Sequence, residues 1–320
     1  MTIAAREYDF VAARRRLEAK PKSAGPKLGS LEDAVARVKD GDHVALGGCL
    51  YSRTPLALVW ALLRRRPTRL TLSRNLMCYE GEWGMVAGAV DKLVTSWMGI
   101  GLPWGLSRIQ REFVEAGRIE FEEWSHLGLG LRYRAAAMGV PFLPSLTMLG
   151  SGLMAVGGSK TVACPYTGQT LHAVPALFPD VALVHVQKAD RLGNCQIDGY
   201  PHMDADIARA AATVLVTAEE IVSEDEIRLH GDHTVIPGFL VDALAHVPYG
   251  SYPHECYGAY DSEPEHFTTY VDGILARGTA AVTDYLERYV YAPSDHVGYL
   301  ALFGDARRAD AAGRARMLTT

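Results

Sequence analysis

The chain has 320 residues, with 32 Lys and Arg against 37 Asp and Glu, a net charge of −5 and 48% hydrophobic residues. A mildly acidic chain lacks the basic face that nucleic-acid binding requires, so no nucleic-acid partner is expected. No apolar run reaches the roughly 18–20 residues of a membrane span, and the N-terminus lacks the apolar segment of a signal peptide. We therefore expect a cytoplasmic protein with a large core and no membrane contact.

The cysteines show no metal-binding or redox spacing. The chain has five cysteines, an odd number, and they are widely spaced: Cys49, Cys78, Cys164, Cys195 and Cys256. No C-x-x-C pair occurs among them. We expect reduced thiols, most of them small buried side chains, and we predict no metal site.

Residues 1–28 differ in composition from the rest of the chain. They are rich in charge and end in Lys-Pro-Lys-Ser-Ala-Gly-Pro-Lys, which is typical of a linker. We interpret them as an N-terminal arm before a main domain that covers 29–320. The apolar residues of the arm leave two alternatives, a frayed segment or a clasp on a partner subunit, and we favour the frayed segment.

From residue 29 onward, helical and strand patterns alternate. Helices are predicted over 30–38, 56–64, 107–116, 131–138, 206–212, 265–275, 279–289 and 296–311. Strands are predicted over 43–48, 69–73, 92–98, 119–124, 146–149, 171–176, 181–187, 213–217 and 241–247. Ser30 and Thr54 are expected to cap the first two helices. This alternation predicts an α/β fold with an open, mostly parallel sheet flanked by helices, followed by a helical C-terminal region over 263–320.

A glycine loop follows the first predicted strand. Gly47 and Gly48 precede Cys49 and the start of a helix, so the backbone can approach a ligand and its N–H groups can face a developing negative oxygen. A plain strand-to-helix turn is the alternative. Cys49 is either a nucleophile near the amides of a helix start or, as we favour, a small side chain that lines the pocket.

Several segments resemble family I CoA-transferase α subunits of the glutaconate CoA-transferase type. The stretch Gly-Asp-His-Val-Ala-Leu-Gly-Gly at 41–48 is similar to the opening glycine motif of that family, and Ala-Ala-Ala-Met-Gly-Val-Pro-Phe-Leu-Pro at 135–144 leads to Gly-Ser-Gly-Leu at 150–153. Asp-Ala-Asp-Ile-Ala at 204–208 and Thr-Ala-Glu-Glu-Ile-Val at 217–222 also match. The matching segments span roughly 29–265 in the family's order.

The resemblance implies a partner. In the family, a glutamate of the β subunit attacks the acyl-CoA thioester, and CoA then passes to a second carboxylic acid. We therefore expect a heteromer with a β subunit, α2β2 or larger, inactive as the α chain alone. A CoA thioester is the expected substrate, and no permanently bound cofactor is expected.

Polar residues after the strands are candidates for binding a small organic acid. Arg53 and Arg74 could pair with a carboxylate, although surface arginines are the ordinary alternative. The candidate substrate-binding residues are Arg53, Ser73, Arg74, Asn75, Gly150, Ser151 and Gly152.

His126 follows a predicted strand and departs from the residues of the relatives. An imidazole can act as a general base near neutral pH, so His126 motivates a second hypothesis, in which the same scaffold supports an acyl-CoA hydrolase, a ring-cleaving enzyme or a decarboxylase. A pocket histidine that only donates a hydrogen bond is the alternative. A third hypothesis is a CoA-binding or sugar-phosphate-sensing module without catalysis.

Two further patterns are set aside. The glycines at 99–105 imitate a dinucleotide-binding loop, but their spacing is one position off. His202, Asp204 and Asp206 imitate metal-ligand spacing, whereas either aspartate fits better as the cap of the helix that follows.

Overall fold

The computed structural model describes residues 9–23 and 25–319. Its helices are α1 (Phe10–Glu18), α2 (Leu31–Val35), α3 (Leu56–Arg64), α4 (Tyr79–Val86), α5 (Arg108–Glu115), α6 (His126–Met138), α7 (Gly152–Val156), α8 (Asp204–Ala210), α9 (Glu224–Leu229), α10 (Pro264–Arg277), α11 (Thr279–Tyr285), α12 (His296–Ala301) and α13 (Asp305–Thr319). Its strands are β1 (Leu28–Gly29), β2 (His43–Leu46), β3 (Leu70–Met77), β4 (Val90–Gly101), β5 (Gly105–Leu106), β6 (Glu120–Glu123), β7 (Phe142–Ser145), β8 (Lys160–Ala163), β9 (Thr170–Pro175), β10 (Val181–Ala189), β11 (Cys195–Gln196), β12 (Thr213–Ile221), β13 (Thr234–Ile236) and β14 (Ala243–His246). None of the helices in the described ranges is long and apolar enough to cross a bilayer.

The central sheet is mostly parallel, which confirms the predicted fold class. Its parallel strands lie in the order β1, β14, β12, β10, β2, β3, β4, β6. The middle strands β2 and β10 are buried almost throughout, because their runs of Val, Ala and Leu are covered by helices on both faces. A separate antiparallel sheet contains β7, β9 and β8.

The strand order changes direction between β2 and β10. After β2 the chain adds β3, β4 and β6 on one side, and later adds β10, β12 and β14 on the other. In open α/β sheets, ligands bind beyond the carboxyl ends of the strands at such a switch point. The loop at 47–55, which leaves β2, therefore lies where a ligand is expected.

The N-terminal segment is folded against the main domain, so the expectation of a frayed arm is wrong for α1. Phe10 and Leu17 of α1 pack on a small apolar cluster that includes Phe178. Arg16 pairs with Asp180 at 2.7 Å, and the amine of Lys20 lies 2.6 Å from a carboxylate oxygen of Asp242. The part of the predicted arm at 1–8, and residue 24, lie outside the described residues.

Helix α4 was not predicted from the sequence. Gly81 and Gly84 weaken its helical pattern, yet packing requires both glycines. A Cβ atom at Gly81 would lie 2.5 Å from the sulfur of Met77, and one at Gly84 would lie 2.6 Å from a methyl group of Val90. Close packing on the sheet therefore overrides intrinsic propensity here.

Other predicted bounds need correction. The strand expected at 146–149 is a turn after β7, with Met148 at a φ of +68°. Helix α6 begins at His126, five residues earlier than predicted, because the hydroxyl of Ser125 caps it. The predicted helix at 279–289 ends at Tyr285 and continues as a π-helical turn, Leu286–Tyr291, and the one at 296–311 divides into α12 and α13.

The C-terminal helices cover the sheet with a buried aromatic cluster that includes Trp83 and Tyr285, whose rings stack at 5.4 Å. Three histidines of this region are held neutral. Burial lowers the pKa of His254 well below its usual value, lowers that of His266 to about 3 and lowers that of His296 to about 4. Nearby, burial raises the pKa of Glu82 to about 7.

Acidification should therefore destabilise the fold. Below pH 6.5 these histidines bind protons in the unfolded state while they stay neutral in the folded state. Their contribution to the free energy of unfolding is therefore complete above pH 6.5 and is lost as the pH falls towards 4. Each histidine contributes up to about 1.4 kcal/mol per pH unit. Glu82 opposes them between about pH 7 and 4.5, because its raised pKa makes the folded state bind a proton first.

Urea unfolding between pH 7.5 and 5 measures this slope. His266→Phe should reduce the slope of the free energy of unfolding against pH by about the contribution of one histidine. His246→Gln, at an exposed position, should leave this slope unchanged. A free energy of unfolding that stays constant or rises as the pH is lowered from 7.5 to 5 would contradict the assignment of buried neutral histidines.

Candidate active site

The glycine loop forms a tight turn that only glycine permits at position 48. Cys49 and Ser52 exchange two backbone hydrogen bonds of 2.8 Å across the turn, and Gly48 has a φ of +72°. A Cβ atom on Gly48 would lie 2.4 Å from the carbonyl oxygen of Ser52 and 2.6 Å from that of Arg53. The backbone itself therefore excludes any side chain at this position.

Asp204 holds the loop from the opposite side of the switch point. Its Oδ1 accepts the Gly48 N–H at 2.7 Å, and its Oδ2 lies 2.5 Å from Nη1 of Arg53. Asp204 is fully buried at the start of α8. It does not cap that helix as the sequence suggested, because Met203 is at the cap position and Asp204 faces the loop instead.

Arg53 and Arg74 both brace this loop. Arg53 also donates to the carbonyl of Tyr200 at 2.6 Å. Arg74 donates to the carbonyl of Gly47 at 3.0 Å and pairs with Glu80 at 2.7 Å. Each arginine is only 1% exposed, so in this structure both charges meet protein groups that position the loop, and contact of either arginine with substrate stays a prediction.

The amides that the sequence suggested as oxyanion donors already have protein acceptors. Gly47 N–H donates to the carbonyl of Leu183 at 2.9 Å, and Cys49 N–H donates to that of Ser52, while Gly48 N–H is bound to Asp204. At the tip of the turn, by contrast, the amides of Leu50 and Tyr51 have no acceptor within residues 9–23 and 25–319. The tip of the loop, and not its glycines, therefore offers donors to a ligand.

Cys49 is half-buried beside this loop. Burial raises the pKa of its thiol, and the negative charge of Asp204 acts in the same direction against Arg74 and Arg53. A raised pKa disfavours the thiolate, which is the reactive form. This environment supports the interpretation of Cys49 as a side chain lining the pocket.

Ser73 lies in the interior of the sheet. Its hydroxyl oxygen lies 2.7 Å from Nε2 of His43 and accepts from the hydroxyl of Tyr133 at 2.8 Å. Its side chain is fully buried, so in this structure Ser73 helps to hold β3 against its neighbours.

Asn75 and His126 meet at the carboxyl end of β3. The Asn75 side chain donates to the carbonyl of His126 at 2.9 Å. Its Oδ1 is buried without a partner among the described residues, which leaves a polar atom for a ligand to satisfy. Both residues therefore stay candidates for the site.

A second histidine, set aside in the sequence, joins His126. The Nε2 atoms of His126 and His202 are 3.3 Å apart, and Nδ1 of His202 lies 3.0 Å from the carbonyl oxygen of Gly48. Burial lowers the pKa of His126 and lowers that of His202 to about 4. The two rings thus extend from the glycine loop to the exposed start of α6, although they are 76 residues apart in the sequence.

The segment with Gly150, Ser151 and Gly152 is exposed. The hydroxyl of Ser151 donates to the carbonyl of Met148 at 2.6 Å. The hydroxyls of Ser125 and Thr147 are 2.8 Å apart, which ties this segment to the start of α6 and so to His126. Contact of these residues with substrate stays a prediction.

Asp204→Asn should destabilise the protein severely. The asparagine can still accept the Gly48 N–H, but the buried charge of Arg53 loses its partner, and breaking such a pair costs roughly 3–5 kcal/mol. Asp206→Asn is the matched control, because Arg134, the partner of Asp206, is 57% exposed and such pairs contribute about 1 kcal/mol or less. Urea unfolding of both variants compares them, and equal losses would contradict the role of Asp204.

Comparison with known proteins identifies the family of the chain. Residues 29–246 match the family described as Coenzyme A transferase. The chain is 34% identical over 301 residues to the A subunit of glutaconate CoA-transferase from Acidaminococcus fermentans, covering 88% of this chain and 93% of that protein.

Two solved structures share the fold. The crystal structure of glutaconate CoA-transferase from Acidaminococcus fermentans matches with a TM-score of 0.85 at 32% identity, over 89% of this chain and 95% of that chain. A variant of the decarboxylase AibA/AibB matches with a TM-score of 0.73 at 31% identity, over 82% of this chain and 98% of that chain. The predicted resemblance is confirmed, and the chain belongs to the Coenzyme A transferase family.

Proposed function

We propose that this chain is the α subunit of a two-subunit CoA-transferase, which moves CoA between an acyl-CoA and a small carboxylic acid. The observation that supports this most directly is the buried brace of the glycine loop by Asp204 and Arg53 at the switch point of the sheet. It fixes a turn whose tip amides, at Leu50 and Tyr51, donate to no acceptor in the described part of the chain. Fixed amide donors stabilise the oxyanion through which thioester chemistry passes.

The nucleophilic carboxylate is proposed to come from a β subunit. Asp204 and Glu80, which brace the loop, are fully buried and neutralise arginines. Glu255 also lies beside the loop, with its side chain against Ser52, but burial raises its pKa and so disfavours the ionised, nucleophilic form. A glutamate supplied by a partner subunit is not subject to this pairing with arginines or to this burial.

The proposed reaction proceeds in covalent steps at the partner glutamate. Its carboxylate attacks the thioester carbonyl, and the tip amides of Leu50 and Tyr51 stabilise the oxyanion. CoA thiolate leaves, giving an acyl–glutamyl anhydride. The thiolate then attacks the glutamyl carbonyl and releases the first acid, which leaves a glutamyl-CoA thioester. A second acid repeats the steps in reverse order and takes the CoA.

A partner subunit has a surface to cover next to the site. Large apolar side chains are exposed at both ends of α6 and just after β7, among them Leu127, Met138 and Leu146, which are 56%, 60% and 58% exposed. Exposed apolar patches mark sites of protein association. We propose that the β subunit docks here in an assembly of α2β2 or larger, which would bring its glutamate to the glycine loop.

A second candidate function is hydrolysis, ring cleavage or decarboxylation of a CoA thioester, with His126 transferring a proton. The observation in its favour is the exposed imidazole of His126, hydrogen-bonded to His202 next to the loop. CoA transfer through a glutamate needs no such base, so a histidine at this position requires a different explanation if the first proposal holds.

Intact-mass measurement of both subunits separates the two functions. The chain, co-purified with its β partner, is incubated with a panel of acyl-CoA esters and no acceptor acid. A transferase should accumulate a CoA-sized adduct on the β subunit, which borohydride removes by reducing the glutamyl thioester.

Each other outcome has a definite meaning. Free CoA or carbon dioxide released without an adduct would favour the second candidate, and His126→Gln should then abolish the release. An adduct on this chain, lost in Glu255→Gln, would move the nucleophile from the partner to Glu255.

Gly48→Ala should reduce CoA transfer by about 100-fold or more, the usual consequence of losing an oxyanion donor. The added Cβ pushes the carbonyls of Ser52 and Arg53 away and so displaces the tip of the loop. Gly41→Ala is the matched control, because Gly41 also has a positive φ, +83°, but a Cβ added there would meet no atom within 4 Å. Steady-state rates of both variants, each assembled with the partner, measure the effect, and equal rates would remove the loop from the mechanism.

A further inference from the structure

The pair of His126 and His202 has the spacing of two ligands on one metal ion. Their Nε2 atoms are 3.3 Å apart. Two imidazole nitrogens bound to Zn²⁺ at about 2.0–2.1 Å, in tetrahedral geometry, lie roughly 3.3–3.4 Å from each other. The free protein therefore already holds the two nitrogens at the separation that an ion would require.

The surroundings orient the ring of His202 and fix the backbone of His126. Nδ1 of His202 lies 3.0 Å from the carbonyl oxygen of Gly48, so its N–H donates there and leaves Nε2 with a lone pair. A backbone carbonyl on the second ring nitrogen is the usual support of a metal-binding histidine. His126 is held through its backbone, since Ser125 caps its helix and Asn75 binds its carbonyl.

A change of tautomer in His126 makes both Nε2 atoms available to a metal ion. In the free protein, His126 Nε2–H donates to Nε2 of His202. An ion binds the Nε2 lone pair if the His126 proton moves to Nδ1. Within the described ranges Nδ1 of His126 has no hydrogen-bond partner, and the ring is exposed to solvent, so this tautomer is open to it.

The other candidate metal clusters are already occupied by protein groups. Asp204 and Asp206 follow His202 closely in the sequence and complete the metal-like pattern there. In the structure they pair with Arg53 and Arg134. His185, Glu219 and Cys256 lie within 4.8 Å of one another.

Both carboxylate oxygens of Glu219 already accept hydrogen bonds from protein groups. Its carboxylate accepts from the backbone amides of Tyr249 and Gly250 and from the hydroxyl of Tyr260, at 2.7, 3.0 and 2.6 Å. His185 lies 2.6 Å from the same group. This arrangement supports a structural role for that cluster.

We propose that His126 and His202 form a binding site for a divalent transition-metal ion of the Zn²⁺ class, through both Nε2 atoms. Imidazole suits Zn²⁺, Cu²⁺ and Ni²⁺. Because the side chain of His126 is exposed, water or the carboxylate of an organic acid can complete the coordination of the ion. Since the site adjoins the glycine loop, the bound ion should also hinder acyl-CoA binding, and this consequence alone rests on the proposed function.

Calorimetric titration with ZnCl₂ tests the site on the full-length chain after treatment with EDTA. One equivalent of Zn²⁺ should bind, and His126→Gln and His202→Gln should each weaken this binding at least tenfold. His233→Gln is the control for surface histidines, because His233 is 51% exposed beside Asp198 and Asp232, and it should leave the titration unchanged. Circular dichroism and urea unfolding show whether each variant is folded.

Absence of one-to-one binding, or binding that both histidine substitutions leave unchanged, would overturn the proposal. Cobalt(II) in place of zinc gives a second readout, since its visible spectrum reports tetrahedral ligation and should be lost in His126→Gln. Inhibition of CoA transfer by Zn²⁺ is measured separately with the assembled enzyme. Metal binding without any transferase activity would keep the site and refute only the proposed function.

Discussion

The geometry of the site depends on one buried carboxylate. Asp204 accepts the amide of Gly48 with one oxygen and the guanidinium of Arg53 with the other, and so joins the loop after β2 to the helix that follows β11. These elements stand on the two sides of the switch point. Without this carboxylate, Arg53 would be a buried unpaired charge and the loop would lose its fixed contact with the second half of the sheet.

A second ion pair repeats this arrangement on the other side of the loop. Arg74 reaches from β3 to the carbonyl of Gly47 while Glu80 neutralises its charge. Thr54, whose hydroxyl oxygen accepts from Arg74, donates its own proton to the carbonyl of Leu50 instead of capping α3. Buried groups therefore use the hydrogen-bonding capacity of the loop's base, whereas the tip amides of Leu50 and Tyr51 have no acceptor in the described part of the chain. Preorganised donors of this kind lose little when a charge develops against them.

The sequence predicted the fold because apolar strand patterns alternate with helical ones, and a clear cap such as Ser30 marks where a helix begins. It proposed the loop with Gly47 and Gly48 as part of the site because these glycines follow the first predicted strand, and that role stays a prediction. It suggested Arg53 and Arg74 for substrate binding but could not show that Asp204 and Glu80 neutralise them. Nor could it pair His126 with His202, because only the topology of the sheet brings these loops together. Exposure and charge partners, which decide a residue's chemistry, are properties of the assembled fold.

We propose that the tip of the braced glycine loop faces a nucleophile supplied by a partner chain. A crystal structure of the assembled enzyme, trapped with an acyl-CoA in the absence of acceptor, tests this proposal. We expect a glutamyl-CoA thioester on the β subunit, with its carbonyl oxygen within hydrogen-bonding distance of the Leu50 or Tyr51 amide, and with Asp204 still bound to Gly48. A thioester placed away from this loop, or an Asp204 released from Gly48 in the trapped state, would contradict it.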